Sequence, residues 1–195
     1  MKQHAITALI AGFLNENPDM TLQTIEGDST FVKELLTDGK CDIAFLRSES
    51  SSVKEFNSIP YMIDYLTAVL PATHPLAKAD NLPFEQLRGE TFLLFPEHSF
   101  INDLCIRECR NAGFEPHIAY TGNRGATLID LVRNGAGITL MMHHSARQEN
   151  DSSLAFIPVT PGIYSYISLN YAKEKPFSPQ AESFVRYVKA HKRDF

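Results

Sequence analysis

The sequence predicts an α/β fold arranged as two lobes, and three observations predict it. Helical and strand periodicities alternate along the whole chain. Several strands are short, nearly continuous apolar runs, the pattern of strands covered on both faces of a parallel sheet. The alternation also occurs twice, in two units of similar pattern, with no change of composition marking a linker between them. At 195 residues the chain can fill one large core or two small ones.

The first helix is read from Ile6, Leu9, Ile10, Phe13 and Leu14, whose spacing makes one apolar face, and it ends near Asn17-Pro18. Met20 to Glu26 reads as a strand. Gly27-Asp28-Ser29 then turns the chain into a second helix, whose apolar face is Phe31, Val32, Leu35 and Leu36 and whose C-terminal cap is Gly39. Asp42 to Leu46 is a buried strand of a parallel sheet; Tyr65 to Leu70 is a further strand, closed by Pro71, and His74-Pro75-Leu76 is a turn-like segment. Thr91 to Phe95 is a strand ending at Pro96. The helix Ile101 to Ala112 follows and stops at Gly113, and His117 to Thr121 is again a strand. Thr127 to Asn134 is a helix with Leu128, Leu131 and Val132 inward, and Ile138 to Met142 is the next buried strand. Leu154 to Val159 and Ile163 to Tyr171 are further strands. The last helix opens at Ser178-Pro179 and buries Phe184, Val185 and Val188.

Composition narrows the function. The chain is 44% hydrophobic and 21% charged, as a packed globular protein is. Its net charge of −5 argues against direct nucleic-acid binding by this segment, since contacts to a phosphate backbone need clustered Lys and Arg. The short basic cluster at Lys189, His191, Lys192 and Arg193 reads as a helix terminus complementing its dipole. No apolar run approaches the roughly 20 residues of a membrane span, and Met1-Lys2-Gln3 opens no secretory signal, so a cytoplasmic location is expected. Cys41, Cys105 and Cys109 lack zinc-type spacing. Cys105 and Cys109 lie in phase with Ile101, Leu104 and Ala112, which places both thiols in the core.

No catalytic signature is present: there is no G-x-S-x-G, no H-E-x-x-H, no Walker loop and no C-x-x-C. His143-His144 invites a metal reading, but adjacent residues on an extended chain point to opposite sides. Gly135-Ala136-Gly137 follows a helix and precedes a strand, the reverse of a dinucleotide loop. Neither a metal nor a cofactor is expected. The informative positions are polar residues at the carboxyl ends of strands, where open α/β sheets place ligands. These are Arg47-Ser48, Pro96 to Phe100, Thr121 to Thr127 and Met142 to Ser145. Asn123, Gly125 and Thr127 precede a helix whose N–H groups can receive an anion, although helix capping explains Thr127 equally well. Arg47 can pair with a ligand carboxylate or with a surface acid.

Taken in order, Leu14, Asn17-Pro18-Asp19-Met20-Thr21-Leu22, Glu26-Gly27, Leu36, Gly39-Lys40-Cys41-Asp42-Ile43-Ala44, Val69 to Ala77 and Leu131 to Ile138 resemble the effector-binding domain of LysR-type transcriptional regulators. The resemblance covers almost the whole chain. It implies two Rossmann-like lobes joined by two crossover strands, as in type 2 periplasmic binding proteins, with lobe one at residues 1–70 plus 161–195 and lobe two at 71–160. A small-molecule effector is then expected in the cleft between them, shifting the domain geometry. The family's ligand positions fall on Arg47 and Ser48; on His98, Ser99 and Phe100; on Asn123, Arg124, Gly125 and Thr127; and on Met141, Met142 and His143. Arg47, Arg124, His98 and His143 favour an anion, and Phe100, Met141 and Met142 offer apolar walls, so a small carboxylate or an aromatic acid is the expected effector. The resemblance further implies a homodimer or tetramer, and DNA contact only through a winged helix-turn-helix lying, with the family's first strand, upstream of Met1. The alternative is a free-standing solute-binding protein of related fold.

Overall fold

The computed structural model describes residues 3–146, 151–174 and 178–191. Lys192 and Arg193 of the basic cluster, and Met1-Lys2 of the start, lie outside the described residues. The elements alternate as expected: α1 (Gln3–Glu16), α2 (Ser29–Thr37), β1 (Ile43–Ser48), β2 (Phe56–Pro71), β3 (Leu82–Pro83), β4 (Thr91–Leu94), α3 (Phe100–Asn111), β5 (His117–Thr121), α4 (Gly125–Arg133), β6 (Thr139–Met142), α5 (His143–Ala146), β7 (Leu154–Thr160), β8 (Tyr164–Ala172) and α6 (Pro179–His191). They form two compact units. One is residues 64–164, and the other comprises residues 2–63 and 165–195. The chain therefore passes twice from one unit to the other, at 63–64 within β2 and at 164–165 within β8.

In the discontinuous unit, β8 lies between β1 and β2. Leu9 and Phe13 of α1 pack with Phe184, Val185 and Val188 of α6 on Ile59 and Leu169. Leu36 of α2 packs on Ala44, Leu46 and Phe56. The apolar stripes read from the sequence are thus the buried ones, except at Phe31, expected on the inner face of α2 but 47% exposed. Asp28 caps α2 by accepting from the Thr30 N–H at 2.8 Å, and Gly39 takes the left-handed backbone (φ 71°) that closes its other end.

In the continuous unit, β6 and β7 flank the second half of β2, and β3 runs parallel to β7. β4 pairs in parallel with β5 and is tied to β6 by two 2.8 Å backbone bonds between Thr91, Leu93 and Ile138. One core lies under α3, where Leu104, Cys105 and Cys109 meet Phe92, Leu94, Leu140 and Met142. Another lies under α4, where Leu128 and Val132 meet Val69, Leu93 and Met141. Gly137 has φ 155°, and a Cβ there would collide with the Thr91 carbonyl oxygen, so the close approach of β4 to β6 requires glycine. His74 explains its own motif: its Nδ1 accepts from the Leu76 N–H at 3.2 Å and caps the 3-10 turn at Pro75–Lys78. Burial pushes the Cys105 thiol well up and the Cys109 thiol up to about 12, so both are core side chains with little thiolate character.

Four expectations are corrected. Met20 to Glu26 is not a strand. Met20 and Leu22 do pack on the α1–α6 core, but β1, the edge strand nearest in sequence, pairs with β8 alone among the described residues. Side-chain alternation without a backbone partner makes no ladder. β1 belongs to a mixed sheet and runs antiparallel to β8, with Ile43 opposite Tyr171 and Ser48 opposite Tyr166. β2 begins at Phe56, nine residues before the expected Tyr65. Its first half carries Asn57, Ser58, Pro60 and Asp64, which hide a strand from a reading based on apolar content. Finally, α4 begins at Gly125 with Arg124 as N-cap, so Thr127 lies inside the helix and does not cap it.

Candidate functional site

Each unit presents its own polar groups at strand ends. In the discontinuous unit, Arg47 sits one residue from the end of β1. Its backbone N–H donates to Ser29 Oγ at 3.0 Å, which ties β1 to the first residue of α2. Its guanidinium Nη1 donates to the buried Ser165 Oγ at 2.6 Å. This bond orients the guanidinium against the start of β8. Ser48 turns the other way, donating through Oγ to the Ser50 carbonyl at 2.7 Å.

In the continuous unit, the sequence-predicted residues separate into distinct roles. His98 adopts φ 65°, the one left-handed non-glycine residue among those described, and this reversal leads into α3. Its side chain lines a groove of about 600 Å³ with Asn102, Asp103, Ile106 and Arg107. Ser99 is the α3 N-cap: Oγ donates to the Pro96 carbonyl at 2.7 Å and accepts from the Asn102 N–H at 3.3 Å. Phe100 packs against the core under α3. Asn123 and Arg124 are exposed ahead of α4, whose first N–H groups receive no side-chain cap from Arg124. Gly125 faces Phe95 and Met141 at ordinary packing distance. Met141 and Met142 are each 1% exposed, one in each core of this unit. Their side chains hold β6 in place.

His143, directly after β6, is where polar groups converge. Its ring stacks on Tyr65 with centroids 4.5 Å apart and planes 17° from parallel, and Nδ1 lies 3.4 Å from Thr67 Oγ1. Next to it, His144 Nδ1 meets Oδ1 of the wholly buried Asp64 at 2.7 Å. The two rings are edge to face, 5.8 Å apart. Sequence reasoning missed Asp64, Tyr65, Thr67, Ser29 and Ser165. Only Asp64 left a usable signal: a lone charge in the apolar run Tyr61 to Leu70 is costly to bury unless it has partners. No three His, Cys, Asp or Glu side chains among the described residues are placed to hold a metal ion. None of the described helices is long and apolar enough to cross a membrane.

A chain of two α/β units, entered and left through shared strands, with a guanidinium at one strand end and an imidazole–tyrosine stack at another, belongs to the class of ligand-binding domains with the periplasmic-binding-protein-like fold. Solved structures bear this out at the level of fold. The regulatory domain of Synechocystis PCC6803 CcmR, solved with 2-PG, superposes with a TM-score of 0.88 at 15% identity, covering 99% of this chain and 93% of that one. The effector-binding domain of QuiR, solved with shikimate, gives 0.79 at 20% identity over 97% and 93% of the two chains. Residues 1–193 match the LysR substrate binding domain family, and the chain belongs to that family, the effector-sensing part of bacterial transcriptional regulators. Among curated relatives, the transcriptional dual regulator GltC of Bacillus subtilis is 24% identical over 184 residues, 94% of this chain and 61% of GltC. The regulator TtuA of Agrobacterium vitis is 29% identical over 73% of this chain and 47% of its own length. The chain thus spans about 61% of GltC, and less of TtuA.

Proposed function

We propose that this domain senses a small anionic effector, a carboxylate or an aromatic acid, and passes its occupancy to a DNA-binding part of a LysR-type regulator. The family match across residues 1–193 carries the reading. Its chemistry is supported in each unit separately: in the discontinuous unit the Arg47 guanidinium suits an anion, and in the continuous unit the open N-terminus of α4 behind Asn123 and Arg124 suits an anion while the His143–Tyr65 stack suits a planar or apolar body. CcmR and QuiR, solved with 2-PG and shikimate, support a small-molecule effector. Binding that favours one of two geometries shifts their populations by its differential affinity, which is how a signal reaches DNA without the sensor touching it. On this reading the domain binds and does not catalyse, self-associates as a dimer or tetramer, and works in the cytoplasm.

A thermal-shift panel of small carboxylates tests the proposal. One chemical class is expected to raise the unfolding midpoint in a concentration-dependent way, and Arg47→Met to abolish the shift. A panel without effect on the wild type, or a shift that survives Arg47→Met, overturns the anionic assignment. Light scattering of the eluting protein tests self-association.

A further inference from the structure

Asp64 is the first residue of the continuous unit, and its carboxylate is 0% exposed. Its Oδ1 accepts from the Tyr65 N–H at 3.0 Å, the His144 N–H at 3.1 Å and His144 Nδ1 at 2.7 Å. One oxygen therefore grips His144 at both backbone and ring, which restricts the side chain to a single rotamer. Because a carboxylate only accepts, the proton of that third bond sits on Nδ1.

The grip matters because of where His144 lies. α5 has only four residues, His143–Ala146, too few to be stabilised by its own backbone bonds. Its direction must come from anchors at its ends, which are the buried Ala146 and the Asp64–His144 bond. His143 is the residue between β6 and that bond. It is placed on Tyr65 and beside Thr67 by the same strand that carries Asp64.

We infer that Asp64 is a positioning residue of the effector site: it locks His144 and, through the turn of α5, holds His143 stacked on Tyr65. The inference rests on the reading of His143 as an effector contact. Asp64, being wholly buried, acts through His144. Its part is the one that a carboxylate behind a ligating histidine plays, setting ring orientation and proton placement.

The test is nitrogen-proton correlation spectroscopy of the histidine rings in the wild type, Asp64→Asn and Asp64→Ala. The wild type is expected to carry the His144 proton on Nδ1 and to show His143 ring protons shifted upfield by the Tyr65 ring. Asp64→Asn retains an acceptor oxygen and is expected to preserve both signatures. Asp64→Ala is expected to lose both. An unchanged His143 shift in Asp64→Ala, or no rescue by Asn, overturns the inference. If Asp64→Ala does not fold, His144→Ala carries the His143 half of the test: it removes the ring bond with no replacement donor while the Asp64 oxygen keeps its two backbone donors, and a His143 shift identical to the wild type overturns the inference.

A titration with the carboxylate panel separates this inference from the function it rests on. An effector that moves the His143 signals is expected to bind Asp64→Ala at least about tenfold more weakly than wild type, and equal affinity counts against the positioning role. A wild type that binds no carboxylate while its ring signals behave as stated removes the effector reading and leaves the positioning of His143 standing.

Discussion

Each unit buries polar side chains in its sheet, and the two do so in different ways. In the discontinuous unit the solution is neutral. Ser58 Oγ donates to Asn170 Oδ1 at 2.6 Å, and Asn170 Nδ2 donates to the Ser168 carbonyl at 2.8 Å and to Ser168 Oγ at 2.9 Å. In the continuous unit it centres on an acid, the buried Asp64 side chain met by an imidazole and two backbone N–H groups. The neutral network stitches β2 to β8, and Ser58 Oγ also accepts from the Val53 N–H at 3.0 Å. The acidic one reaches from β2 to the turn after β6, where His143 stands. A charge is the costlier group to bury, and it is found where a side chain must be aimed and not merely packed.

Removing the imidazole is the strongest way to break this comparison. His144→Ala removes the imidazole donor from the buried Asp64 carboxylate, and urea unfolding should show a loss of about 3 kcal/mol. A loss below about 1 kcal/mol would place the pair with surface ion pairs and remove the contrast. Asn170→Ala is expected to cost about 2 kcal/mol in the same measurement, because it removes the acceptor of the Ser58 hydroxyl and the donor to Ser168 without any charge at stake. It should leave effector binding unchanged, whereas His144→Ala should not.

Thr139 offers a third case. Its Oγ1 is fully buried in β6 and has no hydrogen-bond partner. Thr139→Val keeps the shape and removes the orphaned hydroxyl, so a gain of about 1 kcal/mol is expected. The exposed counterpart is Arg133 with Asp151. Bonds from the Ser153 hydroxyl and backbone, and then from Arg133, pull the Asp151 carboxyl down to about 2. A depressed carboxyl contributes above the ordinary carboxylate range, and that contribution is lost as pH falls towards about 2. Exposure to solvent keeps the stability effect small. Carboxyl-detected titration should find Asp151 still ionised at pH 3, and Arg133→Gln should raise its midpoint.

Much of the fold was legible because local rules wrote it. The stripes of α1, α2, α3 and α6, the stop at Gly39 and the buried phase of Cys105 and Cys109 all follow from helix periodicity and backbone preference. The site was legible only as a set of strand ends. Arg47, His98, Ser99, Asn123 and His143 do flank strands or open helices. The sequence could not tell Ser99, spent on a cap, or Met141 and Met142, spent on the core, from His143, where polar groups converge. All of them carry the same positional signal.

What the sequence by itself determined was the alternation of helices and strands and most of the helices' buried faces, since each depends on residues within a few positions of one another, and, through motifs spread along the chain, the family. The tertiary structure decided which side chains meet. Arg47 and Ser165 are 118 residues apart, Asp64 and His144 80, and Thr67 and His143 76. Those meetings are set by strand pairing: β1 lies antiparallel to β8, and β2 antiparallel to β6. Period-2 patterning tells a strand which face to bury but not which strand to lie beside, because the backbone hydrogen bonds that join neighbours are the same for every residue.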